Sequence, residues 1–241
     1  LTNEWSLLAE YTRRKEDNKF VNNFRGCDVP GPFSFTCSTT VNETDRDQDT
    51  FNPKLIGNYS NQYGRVVTTL GADFTDTTYD AEIAGASIER SNDQKIDSYY
   101  AQVIVPVAND TLVTLGGRNA KVKNNLTDLT AFPSGQEINS SVTVFSAGIS
   151  KEIKSYRVFV RYDENFRFAK VDEQVFTETG TIGLETQEGK SKEIGIEYKK
   201  GDIDLALLVY RLDITNEIAF DPTVDGPFGV GTGANVNFDA T

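Results

Sequence analysis

The sequence predicts an all-β protein: an antiparallel transmembrane β-barrel, of which these 241 residues supply about ten strands. Three observations lead there. Short and long connections alternate in a fixed order, the stretches between them are about ten residues of alternating apolar and polar character, and aromatic residues stand at the ends of the apolar faces. The short connections fall at residues 59–63, 107–110, 152–155 and 199–202, and the long polar ones near 16–48, 77–95, 120–140, 168–190 and 218–235. A soluble sandwich yields the same side-chain alternation. It has no reason to keep every long loop at one end, whereas an outer-membrane barrel has short turns on one side and long loops on the other.

Taken in order, the first strand sets Trp5, Leu7, Ala9 and Tyr11 against Ser6, Leu8, Glu10 and Thr12, with an aromatic at each end of the apolar face. After the first short turn, Val66, Thr68, Leu70, Ala72 and Phe74 oppose Arg65, Val67, Thr69, Gly71 and Asp73. Tyr99, Ala101, Val103 and Val105 then oppose Tyr100, Gln102 and Ile104, and Val113 and Leu115 oppose Thr114, Gly116 and Arg118. Tyr156, Val158, Val160 and Tyr162 oppose Arg157, Phe159, Arg161 and Asp163, and Ile194, Ile196 and Tyr198 oppose Glu193, Gly195 and Glu197. The last full strand is phased with Ala206, Leu208, Tyr210, Leu212 and Ile214 toward lipid and Val209, Arg211, Asp213 and Thr215 inward. A further strand starts near Asn235. An open sheet edge is not tolerated in lipid, so the residues given are expected to be a portion of a larger barrel.

Composition narrows the partners. A net charge of −12 and a pI near 4.5 argue against nucleic acid. Mean hydropathy is −0.42, and no apolar run approaches the roughly 18 residues of a membrane helix; a barrel needs only alternate residues toward lipid. With no histidine and no methionine, a haem-iron ligand from histidine is impossible within this span. Cys27 and Cys37 flank a segment with two prolines and a glycine, which suits a loop-stapling disulfide in an oxidising compartment; the other reading is a pair of free thiols. Neither a zinc site nor any other metal site is expected, nor a cofactor. Carboxylates are scattered, and Ser98 and Ser191 have no arranged partner, so no catalytic role is expected.

From residue 158 onward the chain resembles a known family. The strand and loop Val158-Phe159-Val160-Arg161-Tyr162-Asp163-Glu164-Asn165-Phe166-Arg167-Phe168, the arm Gly189-Lys190-Ser191-Lys192-Glu193-Ile194-Gly195-Ile196-Glu197-Tyr198 and the arm Tyr210-Arg211-Leu212-Asp213-Ile214-Thr215-Asn216-Glu217-Ile218 are similar to those of TonB-dependent outer-membrane receptors. The end, Asn235-Val236-Asn237-Phe238-Asp239-Ala240-Thr241, is similar to the start of another of their strands. The resemblance implies a 22-stranded, plugged barrel in the bacterial cell outer membrane. Residues 1–241 would be the middle of that one barrel domain, with the plug domain and C-terminal strands outside them. It implies TonB-dependent active uptake of a scarce chelated nutrient, a ferric siderophore foremost, with outer-membrane lipid around the wall and the TonB complex acting through the plug. A small passive porin-like or structural barrel and a soluble secreted β-sandwich binding module are the alternatives.

In such a barrel Glu10, Arg65, Asp73, Arg157, Arg161, Glu193, Glu197, Arg211 and Asp213 form a lumenal charge ladder, expected to pair across strands or with the plug. Tyr79, Arg118, Phe132, Arg167, Phe168 and Phe176 lie near the outer end. Their arginines either pair within the wall or meet an anionic ligand. Their rings either pack among the loops or stack on an aryl chelate.

Overall fold

The computed structural model describes residues 4–23, 39–84, 88–128, 132–226 and 231–238. Nine antiparallel strands make one continuous meander: β1 (Glu4–Asn23), β2 (Thr39–Asn61), β3 (Gly64–Ala84), β4 (Ile88–Ala108), β5 (Thr111–Asp128), β6 (Phe132–Ile153), β7 (Tyr156–Arg167), β8 (Gln187–Lys200) and β9 (Ile203–Thr215). A short helix, α1 (Val171–Val175), lies in the β7–β8 connection, and β10 (Glu217–Asp221) pairs with β11 (Ala234–Phe238) in a separate hairpin. The four short turns fall where the sequence puts them. Asp110, Lys154 and Gly201 take positive φ there (57°, 57° and 58°), as tight hairpins require. At the first turn Asn61 Oδ1 accepts from the amides of Tyr63 and Gly64 at 2.8 and 3.1 Å.

Three of the five long connections are largely strand among the described residues. β3 continues to Ala84 and β4 resumes at Ile88, so 77–84 and 88–95 are ladder, as are 120–128, 132–140 and 39–48. β1 to β6 run 18 to 23 residues, about twice the 9–11 that a bilayer needs. Polarity suggests loop, but above the membrane an antiparallel ladder satisfies its own backbone, and its outward side chains meet water. Cross-strand ion pairs such as Arg13–Asp47 and Lys15–Asp47, each 2.8 Å, line that face.

The register separates the two faces. One row runs Leu7–Leu55–Leu70–Ala101–Gly117–Phe145, and another Val160–Ile194–Val209. These residues belong to an outward face where Leu7, Leu115, Val160, Ile194 and Leu207 stand open. Aromatic rows bound it. Phe51, Phe74 and Tyr99 contact one another at the upper edge, with centroids 6.5 and 5.8 Å apart, and Tyr156 meets Tyr198 at 4.9 Å beside the short turns. Eight residue steps separate Tyr59 from Phe51 and Val66 from Phe74; at about 3.4 Å per residue and a tilt of about 40° that is roughly 20 Å of height, near the apolar band of a membrane barrel. Close approach explains two glycines: a Cβ at Gly57 would overlap the Trp5 ring outside, and one at Gly195 the Phe159 ring inside.

The register also corrects the phase of β9. Ile194 pairs with Val209 and Ile196 with Leu207, so Leu205, Leu207, Val209, Arg211 and Asp213 face outward, and Ala206, Leu208, Tyr210 and Leu212 face inward. Both parities of this strand are apolar, so alternation alone does not phase it. The charges confirm the new phase physically: Arg211 pairs with Asp213 at 2.9 Å in the rows Tyr162–Lys192–Arg211 and Glu164–Lys190–Asp213, level with and above the aromatic edge and next to water.

Candidate functional site

After Arg167 the chain leaves the wall and turns inward, and residues 168–186 lie over the upper inner face of β2 to β6. Three side-chain clusters weld them there. Tyr79 and Ala81 of β3 and Leu126 of β5 enclose Val171 and Val175 of α1, with Ile138 and Phe176 alongside. Ala120, Val142 and Val144 receive Phe166 and Phe168, whose rings are 5.0 Å apart. Ala169, Leu184 and Ile218 close the third. The entry is fixed by Glu173, whose carboxylate accepts from the Lys170 amide at 2.8 Å while binding Arg167 Nη1 at 2.7 Å.

Polar groups set the register of this roof on the wall. Gln94 Nε2 donates to the Ala169 carbonyl at 2.9 Å and to Asn124 Oδ1 at 2.8 Å; Asn92 Nδ2 donates to Asn124 Oδ1 at 3.1 Å and to the Val171 carbonyl at 3.4 Å. Asn92 and Asn124 have no solvent exposure, and a buried amide left unpaired costs about 1–3 kcal/mol, so these bonds tie one loop conformation to one wall. Arg46 adds an ion pair with Asp172 at 2.7 Å. Arg90 joins Asp128 at 2.7 Å, with side-chain exposures of 16% and 5%, and also donates to the Val175 carbonyl. Burial lowers the Arg90 pKa and the Asp128 carboxylate opposes that. Tyr79, above the aromatic edge, is pushed up to about 12 chiefly by burial and then by the Asp172 carboxylate, against the Arg46 guanidinium that lies 5.8 Å from its ring.

Most residues expected to meet a ligand are used in this junction. Tyr79 is 7% exposed, and Phe168 and Phe176 pack in the clusters. Arg167 is held by Glu173 and donates to the Ile218 carbonyl at 2.9 Å. Arg118 binds Asp73 at 2.8 Å and Ser98 Oγ at 2.7 Å, with its guanidinium 5.7 and 5.8 Å from the Tyr100 and Phe166 rings. Arg118 thus pairs within the wall, whereas Arg167 pairs with α1 and β10. Phe132 opens β6 opposite Asp128, and its side chain lies outside the described residues, as do Cys27 and Cys37.

The lower inner face carries most of the remaining ladder. Arg157 reaches Glu197 at 3.2 Å, Arg161 donates to Asp163 at 2.9 Å, and Arg65 donates to Asn58 at 2.9 Å. Glu10 stands opposite Asn52, and Glu193 accepts from Ser191 Oγ at 3.3 Å. Across β4 to β8, Arg157, Arg161, Glu193 and Glu197 flank a cleft of about 400 Å³ whose wall includes Gly148, Ser146 and Gln102. Arg211 and Asp213 are absent from it because they face outward. The anchoring set Arg46, Arg90, Asn92, Gln94 and Asn124 was missed by sequence reasoning. Its signal was there: amides at alternate positions of one strand, facing the side that should be wet.

An apolar belt outside, a polar and charged inner wall, and a connection folded into the lumen define the wall of an outer-membrane barrel whose interior is occupied at its outer end. The family profile "TonB dependent receptor-like, beta-barrel" matches residues 1–241, and the chain belongs to that family. It is therefore a protein of the bacterial outer membrane, in a family of transport receptors and not of enzymes. Among solved structures, it is similar to the alcaligin outer-membrane receptor FauA from Bordetella pertussis (17% identity, 96% of this chain, 38% of that one, TM-score 0.65). The ferric-catecholate import receptor Fiu from E. coli K12 is similar at 13% identity, 97% and 40% coverage and a TM-score of 0.62. The copper transporter OprC follows the same fold at 11% identity, 96% and 38% coverage and a TM-score of 0.72. The chain thus spans about two fifths of the length of these proteins. No curated protein sequence matches it.

Proposed function

We propose that the chain is the wall of a receptor for TonB-dependent active uptake of a chelated metal, a ferric siderophore foremost. The observation that carries this is the roof: α1 and its flanks lie across the inner wall, held by buried amides and ion pairs, which supports an upper lumen lined by fixed structure. A passive porin works through an unobstructed lumen, whereas a gated receptor needs a shaped outer vestibule. Two of the similar proteins carry alcaligin or ferric catecholate in their names, which supports a siderophore as cargo. Energy would come from the TonB complex, acting through a plug inside the lumen against the lower charge ladder. Uptake of radiolabelled iron as a ferric siderophore panel by cells expressing the full receptor tests the reading. Accumulation is expected with at least one chelate, and only in cells with functional TonB. Equal accumulation without TonB, or none with any chelate, overturns it.

A further inference from the structure

Above the membrane the wall splits. β6 stays paired with β5 up to Phe132, whereas its ladder with β7 ends at the Ser146–Asp163 rung. Beyond that rung β7 pairs with β8 alone, and residues 139–145 of β6 have one unpaired edge. Along a strand every second residue turns its N–H and C=O to the same side. Phe145 fixes the phase, because its amide donates across the split to Glu164 Oε2 at 3.1 Å. Val142 has the opposite phase, with its carbonyl accepting from Asn119 of β5 at 3.4 Å. Asn139, Ser141 and Thr143 share the phase of Phe145, and among the described residues their amides have no partner.

The sequence of this edge lacks the charges and prolines that usually guard one, and the β7–β8 connection touches it through Thr186 Oγ1, 2.7 Å from Ser140 Oγ. Residues 139–145, Asn-Ser-Ser-Val-Thr-Val-Phe, carry no charge, proline or glycine in a chain that is 25% charged. Native edges are commonly blunted with lysine, proline or a bulge, and a β-prone uncharged segment is a template for another strand. At the first rung the Glu164 carboxylate stands where a neighbouring strand would put a carbonyl. Beside the edge a cleft of about 760 Å³ opens between Ser140, Thr186, Asn216 and Asn237.

We propose that residues 139–145 are a strand-addition site for an extended polypeptide segment presented at the outer surface. The main chain of the partner would supply alternate acceptors to Asn139, Ser141 and Thr143, and its short side chains would continue the outward polar and inward apolar alternation of Ser141, Val142, Thr143 and Val144. This role does not depend on the cargo of the lumen.

The test uses the full receptor in detergent and a short fluorescent peptide of alternating threonine and valine, followed by anisotropy and by amide hydrogen exchange. Wild type is expected to bind saturably, and the amides of Ser141 and Thr143 to gain protection. Ser141→Pro deletes an open-side N–H while leaving the β5 ladder intact and should weaken binding about tenfold or more; Ser141→Ala keeps the amide and should bind as wild type. Heat-modifiable gel mobility shows whether the proline variant still folds, and if it does not, the exchange result on wild type decides. No saturable binding, equal binding by a folded Ser141→Pro, or edge amides already protected by self-association of the receptor would overturn the proposal.

Discussion

The upper inner wall of β3 to β6 and the β8–β9 margin are built from the same hairpin unit, yet they bury their side chains by different means. In the first, Ala120, Asn92, Asn124 and Ser98 are wholly covered although the sheet has no second sheet against it. The cover is a connection of the same chain, and polar side chains hold it because they answer its carbonyls. At the margin, Tyr210 is 66% and Leu205 62% exposed, one facing inward and the other outward. Among the described residues β9 is paired on one side only, with β8. Inner polarity in such a wall therefore has two meanings: a solvated lumen, or a lock for one loop.

Arginine deletions break that comparison most sharply. Arg90→Ala removes an ion-pair partner of a carboxylate that is 5% exposed and a donor to α1; breaking a buried pair costs about 3–5 kcal/mol. Denaturant unfolding of the receptor in detergent should show that loss, together with faster amide exchange in residues 169–175. Arg211→Ala, in an exposed pair, should leave unfolding within experimental error. Comparable effects at the two positions would mean that the roof is not locked to the wall. Next in size is the membrane belt. Leu207→Arg, outward between the aromatic rows, should cost about 2–4 kcal/mol on folding into lipid vesicles. Leu208→Arg, facing inward, should cost far less; the reverse order would restore the phase read from the sequence.

Much of the first region was legible and its mechanism was not. The short turns, the faces of β1, β3 to β5, β7 and β8, and the inward placement of Arg118, Arg157, Arg161, Glu193 and Glu197 follow from a period of two and from turn chemistry. β9 was not legible, because Ile203, Leu205, Leu207 and Val209 and their neighbours Ala206, Leu208 and Tyr210 fit either phase; only pairing with Ile194 and Ile196 decides. The strand tops were read as loops because threonine, asparagine and charge are loop-like in composition, whereas what makes them strand is a neighbour across the ladder. Tyr79, Phe168 and Phe176 pack in the clusters under residues 168–186. Their use as cement needs knowledge of where 168–186 folds, a long-range event that no local pattern encodes.

Alkaline titration sharpens the contrast through one phenol. Burial holds the Tyr79 hydroxyl neutral up to about 12, against 10.0 for the free group. Below pH 10 both folded and unfolded chains keep the proton. Between pH 10 and about 12 the unfolded chain ionises first, so the stability contributed by the neutral phenol drains away as pH rises. Tyr79→Phe should flatten that part of the unfolding profile without changing it at pH 7 to 9. An unchanged slope in the variant would place the alkaline sensitivity elsewhere.

The smallest expected effect discriminates the two kinds of contact that hold the roof. Asp172→Asn weakens the pair with Arg46, whose partners are 25% and 44% exposed, and half-open pairs contribute about 0–1 kcal/mol. The loss should also vanish at high salt, where the Debye length falls to about 3 Å at 1 M. Asn124→Leu acts through a buried amide that accepts from both Asn92 and Gln94, so its cost of about 1–3 kcal/mol should persist unchanged in the same salt series. If salt removes both effects alike, the roof is held by surface electrostatics; if it removes only the first, the buried amides are what commit residues 168–186 to the inner wall.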